Sequence, residues 1–269
     1  METRLLHLPI FRSMLKNINL GKSWCFTRSL STQTNPAPIE AAAPTLQASK
    51  NPMDYPDYFQ VHNIFTVEDM FRARVHFGHK EGSLDPKMTP FLFGSRLGHL
   101  IFDLDKTADF LRQALNFTAH IAYRGGVIVF IGQSPQNCHL IEDCARACGE
   151  YAHTRAWRIG TFTNSTMVYG AVTRLPDLCI FLSTLRTVLD EHFAVIECAK
   201  MLVPTVGIVD SNCNPNLITY PVPGNDDSPA SVQFYCRVFK EAIRRGKAER
   251  ERVLGRSNSE SDNKLVEGK

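Results

Sequence analysis

Two histidines three positions apart, His76 and His79, are the first residues of this chain whose types and spacing suggest chemistry. Imidazole nitrogens can ligate a metal ion, but a zinc site needs further protein ligands, and none lies nearby in the sequence. We therefore favour packing or a phosphate contact for this pair over a metal site.

Paired acids and a short glycine–serine segment are the other candidates for catalysis. Asp226 and Asp227 could bind magnesium, although acids at a helix start more often cap it. Gly132-Gln133-Ser134 begins like a nucleophile elbow, but its fifth position is Gln136 instead of glycine. No P-loop or complete dinucleotide motif occurs. We predict no catalytic residues, no enzyme activity and no cofactor.

The eight cysteines carry little functional signal. They are spread along the chain without a C-x-x-C pair, which argues against a zinc ribbon or a thioredoxin motif. Cys144 and Cys148 are four residues apart and could share a metal. We favour buried thiols in a reducing compartment.

Basic and planar side chains gather in three stretches. The first runs from His76 to Arg96, and the second holds Arg155, Trp157, Arg158 and Asn164. Arg and Lys suit phosphates, whereas aromatic rings and Asn can contact bases or ribose. The third stretch, residues 237–256, has eight basic residues against three acids. Ordinary surface cations remain the alternative for all three.

The middle of the chain, residues 60–246, alternates apolar runs with amphipathic segments. Asp105 is the predicted cap of the first long helix, and Pro221 places the last strand at a sheet edge. This alternation predicts a three-layer α/β sandwich with about five parallel strands. The five apolar runs are Leu100–Leu104, Val127–Ile131, Leu178–Leu182, Thr205–Val209 and Ile218–Val222.

Both ends of the chain differ from this middle. Up to Leu30 there are five basic residues and a single acid, Glu2, among many apolar ones, which is typical of a mitochondrial transit peptide. We predict a transit peptide and disordered linker at 1–50, an α/β domain at 60–246, and a basic, then polar, disordered tail at 247–269. A basic arm that stays on the protein is the alternative for the N-terminus.

The composition excludes several classes of protein. The chain has 269 residues, 43% hydrophobic and 21% charged, with a formal net charge of +3. These values argue against collagen, a coiled-coil rod and wholesale disorder. No apolar run approaches the roughly 20 residues that span a bilayer, so we predict no membrane partner.

Three ordered segments resemble one family, the universal S-two family of small-subunit ribosomal proteins. They are Val75–His79 with Pro86–Arg96 and the strand ending at Asp103–Leu104, then Trp157–Asn164, and finally the long stretch Pro176–Ser228. The resemblance covers about residues 60–246. Family members often have glycine where Arg74 stands, and Arg before the tryptophan where Ala156 stands. Bacterial members insert a helical hairpin after the motif asparagine, yet only eleven residues separate Asn164 from Pro176.

This resemblance implies a flavodoxin-like sheet without the bacterial hairpin. It implies a structural role in the small subunit of mitochondrial-matrix ribosomes, bound to small-subunit rRNA and neighbouring proteins, with no homo-oligomer. The candidate RNA-binding residues, from motifs and charge placement together, are Lys80, Lys87, Arg96, Arg155, Arg158, Asn164, Arg244, Arg245 and Lys247. A flavodoxin-like nucleotide- or cofactor-binding enzyme and a non-ribosomal scaffold remain alternatives.

Overall fold

The computed structural model describes residues 52–187 and 190–267, with side chains as far as residue 255. The predicted transit peptide and linker at 1–50 therefore lie outside the described residues. None of the described helices is both long and apolar enough to cross a membrane.

The first part of the described chain builds a small antiparallel sheet, whose strands lie between two helices in the sequence. Its elements are α1 (Val67–Arg72), β1 (Phe77–Lys80), β2 (Leu92–Arg96), β3 (His99–Phe102) and α2 (Leu104–Arg124). The strand order is β1–β3–β2. Leu97 and Gly98 join β2 to β3 with φ values of 54° and 75°. Two consecutive positive φ angles are those of a type I′ hairpin, whose twist matches that of the strands.

The rest of the chain builds a five-stranded parallel sheet. Its strands lie in the order β5–β4–β6–β7–β8, the flavodoxin-like arrangement. The elements are β4 (Ile128–Ile131), α3 (Cys138–Cys148), β5 (Tyr151–His153), α4 (Ser165–Tyr169), β6 (Leu178–Phe181), α5 (Phe193–Lys200), β7 (Thr205–Val209), β8 (Tyr220–Pro223) and α6 (Pro229–Glu267). Short 3₁₀ turns occur at Pro52–Asp54, Val61–Asn63, Glu81–Ser83, Pro86–Phe91 and Pro215–Leu217. The predicted α/β class and the absence of the bacterial hairpin are confirmed.

Two details of the prediction were wrong. The apolar run at Leu100 joins the antiparallel sheet, and the fifth parallel strand is Tyr151–His153. The cap of α2 is Asp103, whose side chain accepts a hydrogen bond from the backbone N–H of Asp105. The edge position of the strand containing Pro221 is confirmed.

The parallel sheet is buried on both faces because its side chains alternate between two cores. Ile128 and Phe130 of β4 face a core shared with α2, α3 and α6, whereas Ile131 faces a second core. That second core includes Met88, Phe102 and residues of α5. Continuous apolar strands are what a sheet covered on both faces requires.

Helix α6 closes the first core and continues past the predicted domain boundary at residue 246. It packs mainly against α2, and Gly246 lies at their crossing. A Cβ atom at Gly246 would lie 2.5 Å from the carbonyl oxygen of Ala119. Glycine therefore permits the close approach of these two helices.

Candidate nucleic-acid interface

Three basic or titratable residues form a row across the antiparallel sheet. Lys80 of β1 and Arg96 of β2 both pair with His99 of β3, which lies between them. All three are exposed. Directly paired residues on neighbouring strands carry neighbouring side chains, so the sheet brings Lys80 and Arg96 together. His99 was missing from the sequence prediction, because strand register is not visible in the sequence.

Lys87 lies on the 3₁₀ turn that leads into β2. The carboxylate of Asp85 caps this turn by accepting a 2.8 Å hydrogen bond from the Lys87 N–H. The next side chain, Met88, is fully buried in the second core. The turn is therefore anchored at Met88 while Lys87 remains exposed.

A buried carboxylate shapes the loop that carries the second basic group. Glu197 of α5 is 4% exposed and accepts three hydrogen bonds from this loop. Its Oε1 accepts from the Trp157 indole at 3.3 Å and from the Gly160 N–H at 2.7 Å, and its Oε2 accepts from the Phe162 N–H at 2.8 Å. N–H donors of this kind compensate a carboxylate for its lost hydration. Glu197 thereby fixes residues 154–164, the Trp157 loop.

This loop displays Arg155 and Arg158 on the surface, whereas Asn164 has a local role. Both arginines are exposed. Asn164 is also exposed, but its Oδ1 accepts a hydrogen bond from the Thr166 hydroxyl, and its backbone opens α4. Its side-chain N–H groups make no hydrogen bond with the described residues and can meet a ligand.

The three candidates on α6 bind their own chain instead. Arg244 donates to the Ala147 carbonyl, and Arg245 pairs with Glu241 at 3.1 Å and donates to the Gln60 carbonyl at 2.7 Å. Lys247 lies 2.5 Å from the buried carboxylate of Glu150 and also donates to carbonyls at the end of α3. The side-chain nitrogens of Arg244, Arg245 and Lys247 therefore have partners within the protein. Most of these partners are distant in the sequence, so the sequence alone does not reveal them.

His79 lies between two carboxylates brought from distant loops. Its Nδ1 is 3.2 Å from Asp210 and its Nε2 is 3.4 Å from Asp227. The hydrogen bond to Asp210, aided by the charges of the neighbouring acids, raises the pKa of His79 to about 9, although burial opposes the shift. One ligand atom from each of the three residues lies within 4.8 Å of the others. Both imidazole nitrogens face an anion, as in a protonated histidine.

The predicted capping role of Asp226 and Asp227 was wrong. Neither carboxylate accepts a hydrogen bond from a described N–H group of α6, and Asn225 Oδ1 accepts from the backbone N–H groups of Asp227 and Ser228 in the loop before that helix. Asp226 is buried, and this burial, with the nearby charge of Asp210, raises its pKa.

His76 and His79 contact different groups. Its ring stacks on Phe71, with centroids 4.4 Å apart and planes 8° from parallel. Packing was one of the two roles favoured for the pair, and it is the one that His76 adopts.

Comparison with known proteins gives one consistent family. The model of the family "Ribosomal protein S2" matches residues 70–181 and 170–246. The bovine (Bos taurus) "Small ribosomal subunit protein uS2m" is 54% identical over 202 residues, covering 75% of this chain and 69% of the bovine one. The "Small ribosomal subunit protein uS2" of Nitratiruptor sp. is 33% identical over 233 aligned positions, covering 70% of this chain and 85% of its own. The Rickettsia bellii protein of that name is 30% identical, with coverages of 70% and 79%.

Proposed function

This chain belongs to the ribosomal protein S2 family, and we propose that it binds small-subunit rRNA through basic side chains of its antiparallel sheet and of the Trp157 loop. It is a structural constituent of the mitochondrial small ribosomal subunit. It is not an enzyme, and its partners are rRNA and other ribosomal proteins.

The observation that carries the proposal is a set of exposed cations that form no ion pair within the part of the chain that the structure describes. The side chains of Lys80, Lys87, Arg96, Arg155 and Arg158 make no hydrogen bond or ion pair with any other residue whose side chain is described. By contrast, four other exposed arginines each pair with an acid three or four residues away: Arg72, Arg146, Arg174 and Arg252. Exposed cations that are not engaged within the protein suit the phosphate backbone, which supplies most of the affinity for RNA.

Asn164 and the α6 cations have weaker support. The free amide N–H groups of Asn164 can contact ribose or a base edge. Arg244 is exposed, so it can reach a phosphate while keeping its single bond to Ala147. Arg245 and Lys247 are half-buried and would have to give up bonds within the protein.

The domain organisation and the assembly state are also part of this proposal. We assign residues 1–50 to a transit peptide and disordered linker, 60–246 to the ribosomal protein α/β domain, and 247–269 to a basic, then polar tail, into which α6 continues as far as Glu267. We assign the chain one copy per subunit, without a homo-oligomer. We assign its protein partners to neighbouring proteins of the small subunit.

Charge reversal on the antiparallel sheet and on the turn beside it tests the proposal. Lys87→Glu with Arg96→Glu should lower incorporation into the small subunit, measured by sucrose-gradient sedimentation of mitochondrial lysate with and without ribonuclease. Arg72→Glu with Arg146→Glu is the matched control, because both arginines are exposed and each pairs with a local acid. This control makes the same change in net charge at sites that we do not assign to RNA.

Two results would contradict the proposal in different ways. Equal incorporation of the two double variants would remove Lys87 and Arg96 from the interface. A wild-type protein that sediments as a monomer, unaffected by ribonuclease, would contradict rRNA binding as a whole.

A further inference from the structure

A small cavity opens beside the Trp157 loop, at the carboxyl ends of the parallel strands. It has a volume of about 180 Å³ and is lined by Gln133, Ala156, Trp157, Arg186, His192 and Phe193. Sites for whole drug-sized ligands measure roughly 300–1,000 Å³, so this cavity suits one ring system and is too small for a complete nucleotide or flavin.

The walls of the cavity are planar groups. The Trp157 and His192 rings meet edge to face with centroids 5.8 Å apart, and the Arg186 guanidinium lies 5.3 Å from the centre of the Phe193 ring. Aromatic rings and guanidinium planes are the surfaces on which unstacked RNA bases lie. A flat, aromatic guest therefore fits this cavity better than an aliphatic one.

The cavity also offers hydrogen-bonding groups that the described residues do not satisfy. The Nδ1 of His192 accepts from the Ala194 N–H, which puts the imidazole proton on Nε2 as a donor. The Oε1 of Gln133 is buried and accepts no hydrogen bond from the described residues. Arg186 adds guanidinium donors and has no acid partner among those residues. Both donors and an acceptor are thus present for the edge of a base.

Burial keeps His192 uncharged. It is 2% exposed, and desolvation, with the charges of His153 and Arg186, lowers its pKa to about 4. At neutral pH it is therefore a neutral donor, so it adds no charge repulsion against Arg186.

The position of the cavity links it to the RNA-binding loop. Ala156, at its rim, is exposed and lies between Arg155 and Trp157 in sequence. The cavity rim and the exposed Arg155 are therefore adjacent along the chain. We propose that the cavity holds one unstacked base of small-subunit rRNA, an inference that rests on the proposed function.

The test fills the cavity without removing any group that supports the fold. Ala156→Phe places a ring at the rim, and Ala171→Phe, at an exposed alanine outside the cavity, is the matched control. Each full-length variant is expressed as the sole copy in cells, and the rRNA of the purified small subunits is probed with base-specific methylating and carbodiimide reagents. Arg186→Gln is the second variant, and thermal unfolding checks that all three proteins fold.

We expect one nucleotide, protected in wild-type particles, to become about fivefold or more reactive in the Ala156→Phe particles, matching the loss of one base–aromatic stack. Arg186→Gln should expose the same nucleotide, and Ala171→Phe should not. If Ala156→Phe and Ala171→Phe give the same pattern while the rest of the footprint persists, the base site is overturned and the proposed function stands. The base site is likewise overturned if Ala156→Phe alters protein crosslinks but no nucleotide. If the wild-type protein leaves no footprint, both are overturned.

Discussion

At the scale of single residues, Glu197 shows how a buried acid can determine the shape of a surface loop. Its two oxygens accept three N–H groups, and no described cation pairs with it. Several N–H donors together stabilise a buried carboxylate that has no cation beside it. The positions of Arg155 and Arg158 therefore depend on Glu197, which is buried.

Glu197→Gln should lower the free energy of unfolding by about 2–3 kcal/mol. The side-chain NH₂ group of the glutamine would have to face one of the N–H donors, and neither group could accept a hydrogen bond from the other. The emission of Trp157 should shift as its hydrogen bond weakens. Denaturant unfolding followed by fluorescence measures both. Glu251→Gln, at an exposed acid of α6, should stay within about 0.5 kcal/mol of the wild type. Equal stability of the two variants would show that the loop does not depend on Glu197.

His79 makes the stability of the protein depend on pH. Its pKa is raised to about 9 in the folded state and is about 6.5 when unfolded. The stabilisation is therefore fully present below pH 6.5 and is lost as pH rises through 9. Its size is at most about 3 kcal/mol.

His79→Gln should flatten the fall in stability between pH 6.5 and 8, measured by denaturant unfolding at each pH. This pH window avoids most of the ionisation of thiols in the unfolded chain. Burial raises the pKa of cysteines such as Cys213, to about 12, so their ionisation in the unfolded chain would also lower the stability of the protein at higher pH. An unchanged slope in His79→Gln would contradict the ion pairs with Asp210 and Asp227.

At the scale of elements, the crossing of α2 and α6 depends on one missing side chain. Gly246→Ala would place a Cβ atom 2.5 Å from the Ala119 carbonyl oxygen and 3.0 Å from the Cβ of Ala122. We expect a net loss of about 1–3 kcal/mol, although alanine favours helices more than glycine does. The control is Gly255→Ala on the same helix, where a Cβ atom meets nothing within 4 Å. It should be neutral or slightly stabilising in thermal unfolding, and an equal loss in both variants would refute the steric explanation.

The elements also show what sequence patterns can and cannot predict. Strands such as Thr205–Val209 were predictable because burial on both faces demands an unbroken apolar run. Tyr151–His153 was missed because this edge strand has three residues and an exposed tyrosine. Leu100–Phe102 was assigned to the wrong sheet because an apolar run does not reveal its pairing partner. The row of Lys80, His99 and Arg96 was hidden for the same reason.

At the scale of the whole molecule, the fold separates two kinds of basic residue. Arg155 and Arg158 are exposed and make no hydrogen bond or ion pair with the described side chains, whereas Arg245 and Lys247 hold α6 to the 3₁₀ turn near Gln60 and to the end of α3. Counting charges in the sequence treats both groups alike. Under our proposal, the first group acts on RNA, and we expect the second to act mainly on stability.

The salt dependence of RNA binding separates these two roles. Each phosphate contact contributes roughly 0.7–0.9 to the slope of log affinity against log salt concentration. Arg155→Gln with Arg158→Gln should therefore reduce the magnitude of that slope by about 1.5, with unfolding unchanged within about 0.5 kcal/mol. Filter binding of the full-length protein to small-subunit rRNA at several salt concentrations gives the slope.

Arg245→Gln with Lys247→Gln is the counterpart, because it removes the same charge from the same protein. It should leave the slope unchanged and lower stability by about 1–3 kcal/mol, since Lys247 neutralises the buried carboxylate of Glu150 and is itself partly screened by solvent. A reversed result, with a smaller slope for the α6 pair and lower stability for the loop pair, would mean that α6 and not the Trp157 loop faces the RNA. In that case the bonds that Arg245 and Lys247 make within the protein would have to open on assembly.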